Sequence, residues 1–334
     1  MVRKIHPTCI KPSYISLIMR KLFYIAVAVC ISFSACPRSI SAQDKTGTLL
    51  DEASRELTFF NFDTAYKLFT EVQGRTEPTG SPQWLQAMLG RALSAQNKTP
   101  ATRQALDEAQ QQYRSLIDSA PESLFAARAT LQLGRIAEVR DFGGDVVDLE
   151  AARVFYLQVT EGWPADAIAD EAALRYADTY FQRFGDPEAV AQGVDFLESW
   201  VEGRDDRPMA SVIWEVIAMV KHEQLVDYAG ALAAFLKADE LGLAEPNVAG
   251  ALYYRAAKLA EREVGDLDTA VQLYQKVIVE APRSGRAFNA QLALEAIRES
   301  NPAMDIEIPQ IKMFIEKKDD DRSDRNATDV RADS

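Results

Sequence analysis

The fold that this sequence predicts is all-α: a superhelical solenoid of about six helix pairs. Three observations predict it. Gly (16) and Pro (14) are few in 334 residues, while Ala, Leu, Glu and Gln abound, a composition that favours helix. A short pattern of side chains recurs at intervals near 40 residues, the period of a helical repeat. Proline follows that pattern at a fixed offset in three places, where it would stop one helix and open the turn into the next.

The recurrence is plainest between two distant segments. Asp63-Thr64-Ala65 is followed by Leu68, Phe69 and Val72, and Asp268-Thr269-Ala270 by Leu273, Tyr274 and Val277 at the same offsets. Between them, Ala109 with Tyr113, Ala152 with Tyr156 and Ala231 with Phe235 repeat a small residue and an aromatic at i, i+4. Gly193 with Leu197 is a weaker case. The small positions 65, 109, 152, 193, 231 and 270 are 44, 43, 41, 38 and 39 residues apart. An i, i+4 pair shares one helical face, so the small side chain admits a neighbouring helix and the ring fills the space beside it.

The prolines divide each repeat. Pro121, Pro164 and Pro282 stand twelve residues after the small position. The helices that follow them align without gaps: Ala126, Ala169 and Ala287; then Ala129, Ala172 and Ala290; then Leu131, Leu174 and Leu292; then Leu133, Tyr176 and Leu294. Such a stripe reads as a packing seam, and hence as core.

A small residue, an aromatic at +4 and Pro at +12 resemble the second helix of a tetratricopeptide repeat, and Leu89-Gly90 and Leu133-Gly134 resemble the Leu-Gly pair of its first helix. The resemblance covers residues 50–300. The usual period of that family is 34, so the longer spacing here implies longer helices or turns. Tyr113 to Pro121 and Tyr274 to Pro282, with Ser123 and Ser284 two residues beyond the prolines, are similar to repeats of exported bacterial members. Those include the helical lipoprotein of the outer-membrane β-barrel assembly machine and the periplasmic cell-division coordinator. What the resemblance implies is a protein-binding scaffold of the cell envelope.

The N-terminus reads as an export signal. Residues 1–42 carry six Lys/Arg and no acidic residue, and Met19-Arg20-Lys21 precedes the apolar run Leu22 to Phe33. Twelve apolar residues suit a signal core and are too few to span a bilayer. Met19 is the expected true start. Cleavage after Ala42 would free Gln43, whereas Phe33-Ser34-Ala35-Cys36 resembles a lipobox in which Cys36 is acylated. Cys9, Cys30 and Cys36 all fall within 1–42, so the mature body has no disulfide framework.

Residues 43–300 then form the repeat domain. Residues 301–315 are a cap segment, with Ile306, Ile308, Ile311, Met313, Phe314 and Ile315 packing 303–315 on the last pair about Leu292 and Leu294. The alternative is a docking segment for a partner. The charged run 316–334 has almost nothing to bury and is expected to be a disordered tail.

Chemistry is nearly absent. Residues 43–334 hold 31 basic side chains against 50 acidic ones, a balance that repels nucleic acid and anionic lipid. Outside the signal the one histidine is His222, with no Cys beside it, so neither a zinc site nor a His-based nucleophile is expected. There is no phosphate-cradling glycine loop, and no cofactor is expected. What remains is surface. Arg91, Arg135, Arg255 and Lys258 fall on first helices near the seam, where basic groups would meet a carboxylate or an acidic segment of a protein or peptide partner. Membrane contact would come only through lipid at Cys36. The expected function is therefore a non-enzymatic envelope scaffold. The alternative is a helical envelope enzyme that cleaves glycan through paired carboxylates.

Overall fold

The computed structural model describes residues 42–76, 80–139, 144–182, 186–245 and 248–311. The expected signal up to Ser41 (with Met19 and Cys36) and the tail 316–334 lie outside the described residues. Among those described there are thirteen α-helices and no strand, so the chain is all-α as the composition requires. The helices are α1 Ala42–Thr58, α2 Phe62–Arg75, α3 Pro82–Gln96, α4 Arg103–Ser119, α5 Leu124–Glu138, α6 Leu149–Gly162, α7 Ala167–Phe181, α8 Pro187–Val201, α9 Ala210–Val220, α10 Tyr228–Glu240, α11 Ala249–Leu259, α12 Leu267–Glu280 and α13 Ala287–Ser300. They form two compact units, one through Gly242 and one from Leu243.

Helix ends follow local chemistry. Thr102, Ser123, Asp148, Asp166, Asp186, Asp227 and Asp266 each accept a backbone N–H at a helix start, and Pro82 and Pro187 occupy first turns where no N–H is required. Pro121, Pro164 and Pro282 stand just past the C-caps Ala120, Trp163 and Ala281, as their spacing predicts.

In the first unit each helix packs on the next, and the odd helices α1, α3, α5, α7 and α9 also approach one another in succession. This is a helical repeat-like architecture. All six small positions are buried, and the i+4 partners Phe69, Tyr113, Tyr156, Leu197, Phe235 and Tyr274 are at most 4% exposed. A ring that size enters only where a neighbour yields space. A Cβ on Gly134 would lie 2.5 Å from the Tyr156 ring, and one on Gly90 would collide with Phe69. The tyrosines satisfy their hydroxyls on the preceding odd helix or its extension: Tyr113 donates to Gln96 (2.7 Å), Tyr156 to Glu138 and Tyr274 to Glu261 (2.6 Å).

One fully buried position of α7 holds an acidic side chain. Asp170 stands on α7 where α5 has Ala127, and both are fully buried. Its Oδ1 accepts from Trp200 Nε1 (3.0 Å) and from Arg207 Nε (2.9 Å) and Nη2 (2.7 Å). Arg207 also donates to the carbonyls of Pro164 (2.6 Å) and Asp166 (3.0 Å), so one guanidinium pins the turn after α8 to the start of α7.

The second unit holds α11 to α13 and a strap that follows them. Within the expected cap segment, Ile306 is buried and the Glu307 carbonyl accepts from Gln275 of α12 (2.7 Å). The segment does not centre on both expected leucines. Leu294 is buried, but Leu292 is 47% exposed, whereas its counterparts Leu131 and Leu174 are core. The seam is core only where another odd helix covers it, and no described helix follows α13. Residues 312–315 of that cap lie outside the described residues.

Two joints repeat an unusual turn. Helices α9 and α11 run on into π-helical segments, Lys221–Leu225 and Ala260–Val264. Each closes on a left-handed residue, Val226 (φ 57°) and Gly265 (φ 79°), after which Asp227 and Asp266 reach back to the carbonyls of Lys221 and Ala260 at 2.9 Å. The left-handed residue lies five positions before the small residue, Ala231 or Ala270, in both. Glycine suits that conformation, and a β-branched residue does not. Val226 is 60% exposed and has little packing to lose. Val226→Gly should therefore raise stability by about 1 kcal/mol, because the relief of left-handed strain exceeds the entropic cost of glycine. Urea unfolding would show a higher midpoint at unchanged slope; a lower midpoint would mean that the valine side chain holds the joint.

Candidate functional site

The odd helices carry a row of polar side chains at one register position. Arg91 follows Leu89-Gly90 on α3, Arg135 follows Leu133-Gly134 on α5, and Asp178 follows Tyr176-Ala177 on α7. Because α3, α5 and α7 approach in succession, the row belongs to one layer of the first unit.

Arg91 is tied into a local network. Its Nη1 donates to Gln73 Oε1 (3.0 Å) and its Nη2 to Glu108 Oε1 (3.0 Å). The guanidinium stands 5.4 Å from the centre of the Tyr66 ring, and the Tyr66 hydroxyl donates to the same Glu108. Burial pushes the Glu108 carboxyl up, but the hydrogen bonds from Tyr66 and Arg91 outweigh it and hold the group below its usual range. Arg91 is thus spent largely on joining α2, α3 and α4.

Around Arg135 the network is denser. Arg135 Nη1 donates to Gln132 Oε1 at 3.2 Å, and burial, reinforced by the nearby Arg175, lowers its pKa. Arg175 is buried on α7. Its Nε donates to Glu171 (3.0 Å), and its Nη1 lies 4.0 Å from Glu138 Oε2. Burial disfavours its charge, yet Glu171, Tyr156 and Glu138 together hold its pKa above the ordinary value. Glu138, at the end of α5, accepts from the Tyr156 hydroxyl and from Gln182 Nε2 (3.0 Å). The same Gln182 amide donates to Asp178 Oδ2 (3.2 Å). Asp178 and Glu138 are therefore two carboxylates bridged by one amide. Burial pushes the Asp178 carboxyl up to about 7, the Glu138 charge adds to the rise, and Gln182 and Arg175 oppose it.

The four basic residues singled out in the sequence are divided between the two units. Arg91 and Arg135 share the row in the first unit, while Arg255 and Lys258 lie three apart on α11 in the second, half-buried. What sequence reasoning missed are Glu138, Arg175, Asp178 and Gln182, which join α5 to α7. The available signal was register: Asp178 is fourteen residues after Pro164, as Arg135 is after Pro121.

Among the described residues no group of three or more His, Cys, Asp or Glu could hold a metal ion. No described helix is long and apolar enough to cross a membrane. No protein-family model matches the chain, and no curated protein matches it.

A raised carboxyl pKa has a definite sign in stability. Asp178 ionises near pH 7 in the folded chain and near pH 4 when unfolded, so its charging disfavours the fold progressively between those values. Asp178→Asn removes that titration and keeps a polar group beside Gln182. Its stability relative to the parent should rise between pH 4.5 and pH 8, read as paired urea midpoints. A difference that does not change with pH would remove Asp178 from the buried cluster.

Proposed function

We propose that this chain is a tetratricopeptide-like superhelical solenoid of six helix pairs that works in the bacterial envelope as a non-enzymatic adaptor, binding a protein or peptide partner. The observation that carries the reading is the successive approach of α1, α3, α5, α7 and α9 in the first unit, which the even helices do not match. Helices that crowd together on one side of a stack line the inside of its curve, and that surface suits an extended partner. Arg91, Arg135 and Asp178 lie along it and would meet polar or charged groups of that partner. Export rests on Met19-Arg20-Lys21 and the apolar run behind it, with Gln43 or acylated Cys36 as the mature N-terminus. Cys36 would then supply the membrane contact, and the acidic excess of the body argues against nucleic acid as the partner.

One observation favours the glycan-cleaving alternative: Asp178 and Glu138 are paired carboxylates with one pKa near neutrality. The geometry weighs against it. The Glu138 side chain is 5% exposed and both of its oxygens are engaged, by Tyr156 and Gln182, so a sugar or an attacking water has no approach to it.

Photo-crosslinking in native envelopes tests the adaptor reading. A benzophenone amino acid at Arg91, on the odd helix α3, should trap a defined partner band. The same probe at the exposed Val154 of α6 should not. Mass spectrometry of the trapped adduct reads the mature N-terminus in the same experiment. Labelling that is equal at both positions, or a protein recovered from cytosol with residues 1–42 intact, would contradict the reading.

A further inference from the structure

Helix α13 presents to solvent a face that its counterparts bury. Six residues after its leading proline stands Phe288, where α5 has Ala127 and α7 has Asp170. Ten residues after stands Leu292, where they have Leu131 and Leu174. Those four counterparts are at most 2% exposed, whereas Phe288 is 61% and Leu292 47% exposed. Phe288, Leu292, Glu295 and Glu299 follow one another at i, i+4, i+7 and i+11, so they form one stripe along the helix. Large apolar residues grouped on one stripe, at positions the counterpart helices bury, mark a surface made to be covered.

The charges flanking the stripe indicate what covers it. Arg283 and Arg286 precede α13 and are exposed, while Glu295 and Glu299 close its far end. Along the stripe itself, with Arg298 of the last turn off to one side, the face is therefore basic at one end, apolar in the middle and acidic at the other. Such a face is complementary to itself when two copies lie antiparallel. A two-fold axis near residues 290 and 291 sets Phe288 of each copy beside Leu292 of the other, Arg286 near Glu295, and Arg283 near Glu299. Self-complementarity of this kind is the requirement for an isologous interface.

We propose that a second copy of this chain docks on the outer face of α13, giving a two-fold dimer with the α13 helices antiparallel. A 14-residue helix is about 21 Å long, so one such pair buries an area at the low end for specific complexes. The dimer is accordingly weak and forms with rising concentration.

Sedimentation velocity on the full mature chain, over about 1 to 200 µM, is the test, an interval chosen for weak complexes. A reversible monomer–dimer equilibrium is expected. Phe288→Ser and Leu292→Ser remove exposed side chains, so helicity by circular dichroism should hold while dimerisation weakens about ten-fold or more. Arg283→Glu alone and Glu299→Arg alone should each weaken it several-fold, and the two together should restore it. A chain that stays monomeric, a dimer indifferent to Phe288 and Leu292, or growth beyond two copies would overturn the proposal. So would a chain that dimerises only when ended after Ile311, since its own C-terminal residues would then be the occupant.

Discussion

Two helices that bury an aromatic ring between them can lie close only where one of them gives up a side chain. That constraint recurs through the molecule. Gly90 leaves room for Phe69 and Gly134 for Tyr156, while Ala65, Ala109, Ala152, Gly193, Ala231 and Ala270 keep the even helices narrow four residues before their buried partners. A larger residue at any of these places would push two helices apart, and close-packed interiors tolerate such displacement poorly. The sequence period, the order of helices and the seam all follow from placing ring and gap in register.

The electrostatics grow out of the same contact. Three of the buried rings are tyrosines, and each needs an acceptor for a hydroxyl that packing has removed from water. Tyr156 finds Glu138. A buried carboxylate then needs further partners, supplied by Arg175 and Gln182, and Gln182 in turn holds Asp178. The polar row on the odd helices is in this sense a consequence of ring packing. Its charges largely compensate one another, so the layer holds ordered polar groups and little net charge.

Much of the fold was legible because its determinants are local. A small residue and a ring on one helical face, a proline behind them, and a serine two residues later are all visible within one repeat. The ends of α4, α6 and α12 stand where the prolines predict. The site was less legible, because its contacts join residues from different repeats. Arg207 reaches Asp170 across 37 residues and Gln182 reaches Glu138 across 44, and nothing in the local pattern of either partner announces the other. Leu292 shows the opposite failure. Its local pattern is that of Leu131 and Leu174, but burial depends on the neighbour. The turn at Val226 was hidden because valine stands where Gly265 signals the left-handed joint in the next repeat.

The interlock of ring and gap is tested most directly by a double-mutant cycle on Gly134 and Tyr156. Leucine is a fair replacement for the ring, since Leu197 occupies the corresponding place on α8. With tyrosine present, Gly134→Ala should destabilise by about 1–3 kcal/mol, because its new methyl meets the ring. In a Tyr156→Leu background the same change should be neutral, or stabilising by up to about 1 kcal/mol, since alanine is then the better helix former. Equal costs in both backgrounds would show that the two residues do not interlock, and would contradict the packing on which this account rests.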